Sequence, residues 1–323
     1  MKKLLAIVIV LCCVFSMVAV LSACEKDDWN NGNLKVVTTI FPEYDWTLNV
    51  LGDYAENVNI RNLLNSGVDM HSYQATFRDT MYIATCDLLI YVGGESDDWV
   101  EDALKQATNK SMIVIKLLDV IDDALDEAGG IEGEDEHEHD HDHESFDEHV
   151  WMSLRRAEIA VNAITDALAK LVPDNAQDFT QNAASYCQQL DELDAEYQQV
   201  VDSTATKTLV VADRFPFVYL FDDYGLSYYA AFSGCSAATD PSPNTISELI
   251  KKLNELNAKV IITTESSDGE IARSIKNQSQ NKNQKIIKLD SMQSVGASDR
   301  DKGTTYLSIM ESNRDALREA LSA

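Results

Sequence analysis

Short apolar, β-branched runs recur along the chain, and segments with helical periodicity lie between most of them. In the first half, the runs that predict buried strands are residues 34–40, 58–64, 87–92 and 111–116, with helical patterns near 43–51, 77–85 and 98–107. In the second half, they are 208–212, 226–232, 260–264 and 285–289, with helical patterns near 215–224, 245–256, 269–278 and 304–321. Such alternation favours parallel sheets covered by helices on both faces. The pattern therefore predicts an α/β fold with two lobes, each built on a roughly four-stranded parallel sheet.

A long helical stretch separates these two halves. Pro173 and Asp174 supply a helix start signal, and helix-forming residues continue to about Ser203. One apolar stripe recurs at spacings of three and four and consists of Phe179, Ala183, Tyr186, Leu190, Leu193, Tyr197 and Val200. A helix of roughly 30 residues is about 45 Å long. We therefore expect one long, rigid helix to join the lobes.

The N-terminus has the features of an export signal. Lys2 and Lys3 precede an apolar run at 4–21, and the run ends in Leu21-Ser22-Ala23-Cys24. Small residues before a cysteine resemble a bacterial lipobox, in which the thiol is lipidated and the chain is cut before Cys24. This predicts an extracytoplasmic protein held to the cell membrane by a lipid on Cys24, with an uncleaved membrane anchor as the alternative.

Composition and charge limit the classes of function that this chain can have. The chain has 323 residues, enough for two domains, and its formal net charge is −28. That charge repels nucleic acid and anionic membrane surfaces, and it raises the local concentration of cations. Acidity also keeps surface proteins soluble, so charge permits a cation-binding role without demonstrating one. We expect no nucleic-acid partner.

Cysteine spacing argues against a thiolate metal site. Once the signal peptide is removed and Cys24 is lipidated, Cys86, Cys187 and Cys235 remain, so at most one internal disulfide is possible. None of them has the CxxC spacing of a zinc site. Small buried apolar residues are the favoured interpretation, and whether any two of them pair stays open.

Four of the six histidines lie in one low-complexity loop, where imidazoles alternate with carboxylates. They are His137, His139, His141 and His143, within residues 134–144. Such a tract has no apolar residue to bury, so it cannot form a core. It predicts a loop that gathers borderline metals such as zinc at several weak sites, and the alternative is a solvated acidic loop with incidental histidines.

The other two histidines are far apart in sequence but occur in similar settings. His71 follows the polar turn Gly67-Val68-Asp69, and His149 follows Asp147-Glu148; each precedes a helical pattern. Open α/β sheets bind ligands in the crevice beyond the carboxyl ends of their strands. Either histidine alone is more typical of a surface or core residue. Together, in an exported, acidic, two-lobed chain, they indicate a shared metal site.

Several motifs, in this order along the chain, resemble the zinc- and manganese-binding lipoproteins of bacterial ABC importers, the ZnuA/AdcA-like family. The matching segments are 36–42, 67–73, 87–93, the His-rich loop, 148–151, 223–226 and 306–307 with Asn313. The resemblance implies two lobes joined by a long helix, with a metal in the cleft between them. It implies that His71 and His149 are ligands from the first lobe, and that an acidic residue late in the chain, matched by Asp290, adds to them.

The sequence departs from this family at the third ligand. The His or Glu expected from the second lobe falls on Arg214, and arginine stays protonated and cannot bind a metal. Either Asp213 takes its place, or the site uses His71, His149 and Asp290 with Glu265 or water. Arg214 would then pair with one of these carboxylates as a supporting group. Two imidazoles with carboxylates suit Zn²⁺, whereas more oxygen ligands favour Mn²⁺.

These features predict five segments and one function. The segments are a signal peptide at 1–23, a tether at 24–33, an N-terminal lobe at 34–173 containing the His-rich loop, a linking helix at 174–204 and a C-terminal lobe at 205–323. The predicted function is that of a monomeric lipoprotein that captures zinc and delivers it to an ABC importer permease. The alternatives are a manganese-binding counterpart, and a metal-buffering or adhesin lipoprotein without a transporter. The HExxH spacing of a zinc enzyme occurs only at 137–141, inside the His-rich loop, and this tract lacks the hydrophobic frame of a catalytic helix, which argues against catalysis.

Overall fold

Two four-stranded parallel sheets form the two lobes of the protein. The structure is a computed structural model that describes residues 28–126, 146–232 and 241–322. The first sheet has the order β2-β1-β3-β4 and the second has the order β6-β5-β7-β8. All pairings within both sheets are parallel. The predicted α/β fold with two lobes is therefore confirmed.

The first lobe alternates strands and helices in chain order. Its strands are β1 (Leu34–Thr38), β2 (Val58–Asn62), β3 (Leu88–Tyr91) and β4 (Ile113–Lys116). Its helices are α1 (Phe41–Leu51), α2 (Phe77–Thr85), α3 (Asp98–Leu104), α4 (Leu117–Val120) and α5 (Leu154–Leu171). Short 3₁₀ turns occupy Asp28–Asn30, Gly52–Asn57, Met70–Ser72, Glu95–Asp97 and Val150–Met152.

The long helix between the lobes is α6 (Ala176–Asp202), which follows the 3₁₀ turn Pro173–Asn175 and has 27 residues. All seven residues of its predicted apolar stripe are buried. The helix packs against α1 and α5 in the first lobe. At about 1.5 Å per residue it is roughly 40 Å long. Burial of a whole helical face, rather than intrinsic helix propensity, stabilises so long an element.

The second lobe repeats the strand–helix pattern. Its strands are β5 (Thr208–Val211), β6 (Ser227–Ala230), β7 (Val260–Thr264) and β8 (Lys285–Leu289). Its helices are α7 (Val218–Asp223), α8 (Pro243–Glu255), α9 (Glu270–Gln278), α10 (Ala297–Arg300) and α11 (Tyr306–Ser322), and α11 packs on α6. All five β7 residues are buried, as expected for a strand covered on both faces.

Hydrogen bonds between loops join the lobes near the carboxyl ends of both sheets. The indole Nε1 of Trp151 donates to the Ser291 carbonyl at 2.9 Å, and the Tyr306 hydroxyl donates to the Trp151 carbonyl at 2.7 Å. The Ala297 amide donates to the Asn65 carbonyl at 2.8 Å. These contacts bring the loops that carry the predicted ligands to one edge of the molecule.

Several sequence-based predictions fall outside the described residues. They are the signal peptide, Cys24, Cys235 and the four histidines of the His-rich loop. Cys86 and Cys187 are both buried, free thiols. Among the helices that the structure describes, none is long and apolar enough to cross a membrane.

Candidate metal centre

The structure brings the imidazoles of His71 and His149 together, with their Nε2 atoms towards each other and their ring planes tilted by 50°. Their Nε2 atoms are 3.3 Å apart and their ring centroids are 5.4 Å apart. Two nitrogens bonded to one tetrahedral zinc at roughly 2.0–2.1 Å lie about 3.3 Å apart. The spacing of the two Nε2 atoms therefore matches one edge of a tetrahedral zinc site.

Aspartates fix the backbone of both histidine turns. The Asp69 Oδ1 atom accepts the His71 amide at 3.0 Å, which starts the 3₁₀ turn Met70–Ser72 after strand β2. The Asp147 Oδ1 atom accepts the His149 amide at 2.9 Å in the same way. Aspartate side chains commonly close such turns by bonding the amide two residues further on. Each ligand candidate therefore lies at a position that its own local sequence defines.

The second ring nitrogen of each histidine is also engaged. The Asp147 Oδ1 atom lies 2.9 Å from His149 Nδ1, and the Ser96 hydroxyl lies 2.8 Å from His71 Nδ1. An ionised carboxylate only accepts hydrogen bonds, so this contact favours the tautomer of the neutral His149 ring that has its proton on Nδ1 and a lone pair on Nε2. Outer contacts of this kind orient histidines that bind metals.

The cleft keeps the His71 imidazole neutral. His71 is an exposed residue, yet desolvation of its ring lowers its pKa below the ordinary value of 6.5. Repulsion between the two rings when both carry a proton lowers this pKa further; the Asp69 carboxylate raises it, and the Arg214 guanidinium lowers it. A neutral imidazole is the form that binds a metal ion, so this environment favours capture of a cation over capture of a proton.

Arg214 reaches from the second lobe to the first and pairs with Asp69. Its Nη2 atom lies 2.8 Å from Asp69 Oδ2, while the other oxygen of the same carboxylate holds the His71 amide. The sequence indicated a carboxylate partner for Arg214 but suggested Asp213, Glu265 or Asp290. The partner is Asp69, and the arginine thus supports the turn that carries His71.

The three acidic candidates of the second lobe are bound to neighbouring groups. Asp213 accepts hydrogen bonds from Arg214 N and from both the amide and the hydroxyl of Thr264. Glu265 accepts from the Ser291 amide and from two serine hydroxyls. Burial, followed by repulsion from Glu265, raises the pKa of Asp290 to about 6. Within the described ranges, no group of three or more His, Cys, Asp or Glu side chains is arranged to hold a metal ion. The structure therefore brings together His71 and His149, and it does not bring these acids to them.

Removing the Arg214 cation is expected to strengthen zinc binding by a few-fold. In Arg214→Gln, the site would lose a positive charge that disfavours cations near His71, and Asp69 would keep its bond to the His71 amide. Zinc titration of the purified variant against wild type checks this. A loss of affinity greater than about tenfold, roughly 1.4 kcal/mol, would mean that the guanidinium is needed to hold the His71 turn.

A buried pair of carboxyl groups lies next to the segment that carries Ser96. The Glu43 Oε2 atom accepts the amides of Thr39 and Ile40, and the Asp97 Oδ2 atom accepts the amides of Val92 and Gly93. Burial, and then repulsion from Asp97, raises the pKa of Glu43 to about 8. Burial is also the main cause that raises the pKa of Asp97 to about 7.

Glu43 should make the metal-free protein less stable as the pH rises from about 4.5 to about 8. The folded chain keeps the Glu43 proton across this window, whereas the unfolded chain releases it near the ordinary value. Glu43→Gln cannot ionise and retains an acceptor for the two amides. The difference in unfolding free energy between wild type and variant should change by up to about 1.4 kcal/mol per pH unit in urea denaturation. A difference independent of pH would contradict the assignment.

The protein has two parallel sheets joined by one long helix, and two neighbouring imidazoles lie near the carboxyl ends of the strands. This arrangement is that of the two-lobed class of bacterial solute-binding proteins. The family model described as ZnuA, zinc-uptake complex component A periplasmic, matches residues 36–320. The chain belongs to this family, as its motifs predicted.

Individual relatives agree with this assignment. The chain is 30% identical over 321 residues to the zinc-binding lipoprotein AdcA of Streptococcus pneumoniae, covering 99% of this chain and 61% of that protein. It is also 30% identical to the high-affinity zinc uptake system protein ZnuA of Bacillus subtilis, covering 91% of this chain and 89% of that protein. The crystal structure of the Zn(II)-bound ZnuA-like domain of Streptococcus pneumoniae AdcA superposes with a TM-score of 0.71 at 28% identity, covering 90% of this chain and 100% of that domain.

Sequence reasoning missed the groups that support the two histidines. Ser96 follows strand β3 after two glycines, and no metal-binding motif marks it. Asp69 and Asp147 each lie two residues before a histidine, and that spacing is the one signal that could have identified them.

Proposed function

We propose that this protein captures zinc outside the cytoplasm and delivers it to the permease of an ABC importer. The supporting observation is the 3.3 Å separation of the His71 and His149 Nε2 atoms, which suits two bonds to one zinc ion. The names of the relatives, a zinc-binding lipoprotein and a zinc uptake protein, favour the same cargo. The chain spans 61% of the AdcA protein, so the proposal concerns the ZnuA-like part of that protein's activity.

Capture begins with two neutral imidazoles that present lone pairs to one point. The remaining positions of a tetrahedral ion need two further ligands. Asp290 is our first choice, followed by Asp213, Glu265 or water. Each of these acids already accepts a hydrogen bond, so it would bind the metal through a lone pair that its present partners leave available. If oxygen atoms supply the remaining ligands, the site would prefer manganese more strongly.

The protein would work at the outer face of the membrane. A lipid on Cys24 and the tether at 24–33 would hold it there as a monomer, close to the permease. Its net charge of −28 would concentrate cations around the cleft.

The His-rich loop would gather zinc at low affinity and pass it to the cleft. His137, His139, His141 and His143 would supply these weak sites. Deletion of residues 134–144 is expected to lower the number of weakly bound zinc ions and to leave the tight site unchanged. An unchanged stoichiometry in calorimetric titration would rule out the role of the loop.

The proposal is tested by metal binding and by metal uptake together. Calorimetry of the purified protein should find one tight zinc site and weaker binding of manganese. A strain that lacks the gene should accumulate less zinc and grow poorly in chelated medium, and added zinc should restore its growth. Tighter binding of manganese would favour the manganese-binding alternative. Normal growth and zinc uptake despite tight binding would favour a surface metal buffer or adhesin.

A further inference from the structure

One carboxylate of the first lobe contacts the chain segments of both histidines. Glu148 directly precedes His149, and its Oε1 atom accepts the Ser96 backbone amide at 2.7 Å. The hydroxyl of the same serine lies 2.8 Å from His71 Nδ1. A short chain of contacts thus runs from the backbone of one histidine to the ring of the other, and it lies entirely within the first lobe.

The backbone around Ser96 is shaped to admit this carboxylate. Gly94 has a φ of +83°, and a Cβ atom on it would lie 2.5 Å from Glu148 Oε1 and 2.6 Å from Glu148 Cγ. Any larger residue would push the Glu148 side chain away from Ser96. The glycine therefore serves the close approach of Glu148 as well as the positive φ.

Burial of the Glu148 carboxyl group costs free energy. The residue is 6% exposed, and its Oε2 atom has no hydrogen-bond partner within the part of the chain that the structure describes. Leaving a buried polar atom unsatisfied costs about 1–3 kcal/mol, a cost that an apolar side chain of similar size would avoid. The specific contribution of this side chain is the hydrogen bond that its other oxygen makes with Ser96.

Other contacts hold each histidine separately. Asp147 orients the His149 ring, and Asp69 with Arg214 supports the His71 turn from the second lobe. Apart from the direct approach of the two Nε2 atoms, the contact through Glu148 and Ser96 is the one described above that links the chain segment of His149 to the ring of His71 without the second lobe. The separation of the two Nε2 atoms can therefore be set before the lobes close on an ion.

We propose that Glu148 is a positioning residue for metal capture, which sets the spacing between the His71 and His149 imidazoles through Ser96. The inference rests on the proposed zinc site. Its consequence is that the first lobe is organised in advance as a two-imidazole capture site, so little rearrangement opposes the first two metal bonds. Groups that orient metal ligands typically contribute about 10–100-fold to metal affinity.

A double-mutant cycle in the full protein tests the route through Ser96. Glu148→Ala and Ser96→Ala are each expected to lower zinc affinity by about 10–100-fold. The double variant should bind about as weakly as Ser96→Ala, because Glu148 acts on the ring through that residue. Glu148→Gln keeps an oxygen for the Ser96 amide and should restore affinity to near wild type. Glu101→Ala, a half-exposed acid of the same lobe, is the matched control and should have no effect.

Two readouts separate positioning from general loss of structure. Thermal denaturation of each metal-free variant shows whether the fold persists. The visible absorption bands of bound Co²⁺ report the geometry of the ligands and should change in Glu148→Ala but not in Glu148→Gln.

The outcomes are distinguishable. If His71→Ala abolishes tight zinc binding while Glu148→Ala binds like wild type, this inference is wrong and the proposed function stands. If the two losses add fully in the double variant, Glu148 does not act through Ser96 and the inference is also wrong. If His71→Ala binds zinc like wild type, the proposed site fails, and the role of Glu148 fails with it.

Discussion

His71→Ala and His149→Ala are each expected to lower zinc affinity by more than about 100-fold, beyond the effect of losing an orienting group. Each substitution leaves one imidazole in the cleft, and none of the three second-lobe acids is arranged with it in the structure. The remaining bonds would come from water or from acids that are already hydrogen-bonded. Competition with a chromophoric zinc chelator measures the loss on the purified protein.

A matched histidine variant makes this test specific. His137→Ala removes an imidazole of the His-rich loop and should leave the tight site within about twofold of wild type, a difference of roughly 0.4 kcal/mol. Tight binding that survived in both cleft variants would show that the metal binds elsewhere. Equal losses in all three variants would instead indicate that zinc is held jointly by the loop and the cleft.

Metal affinity is expected to fall on acidification, because protons compete with the metal ion for the imidazoles. The structure places this loss of affinity at a lower pH than the ordinary histidine range. Desolvation and the neighbouring His149 lower the pKa of His71, so protons compete for this ring only at pH values below 6.5. A histidine with the ordinary pKa of 6.5 would lose zinc earlier on acidification. No sequence pattern reveals this difference, because it depends on the walls of the folded cleft.

Buried strands were the most predictable part of the fold. The predicted strand at 260–264 matches β7 at both ends, because all five residues are buried and a turn follows. The predicted strand at 34–40 is two residues too long, since Thr39 and Ile40 leave the sheet to begin helix α1. Helix α5 was predicted only as a helical pattern after His149, without bounds, although its start is marked by Ser153, whose side chain caps the Arg156 amide. Apolar periodicity identifies elements, but local capping decides where they begin and end.

Contacts between distant segments were the least predictable part of the site. The two histidines were recognisable because each follows a polar turn and precedes a helical pattern. Asp69 as the partner of Arg214 was not recognisable, because the two residues are 145 positions apart and meet only when the lobes pack. Ser96 was missed for the same reason: its chemistry depends on its distance to His71 rather than on any motif.

A second large effect is expected at Arg156, which ties the two lobes together. Its guanidinium is 5% exposed and lies 2.8 Å from Asp123 in the first lobe and 2.9 Å from Asp223 in the second. It also stacks over the Tyr219 ring, with 4.7 Å from Cζ to the ring centroid. Arg156→Ala would leave the buried Asp223 carboxylate without this partner. Breaking a buried ion pair from one side typically costs about 3–5 kcal/mol, and urea denaturation should show a loss of that size.

The neighbouring arginine provides the control. Arg155 is 49% exposed and pairs with Asp194, so Arg155→Ala should cost no more than about 1 kcal/mol. Asp223→Asn in the Arg156→Ala background should recover part of the lost stability, because the unpaired buried charge is the main cost. Equal losses for Arg155→Ala and Arg156→Ala would show that burial does not distinguish the two pairs. Absence of recovery in the double variant would assign the loss to packing on Tyr219 instead.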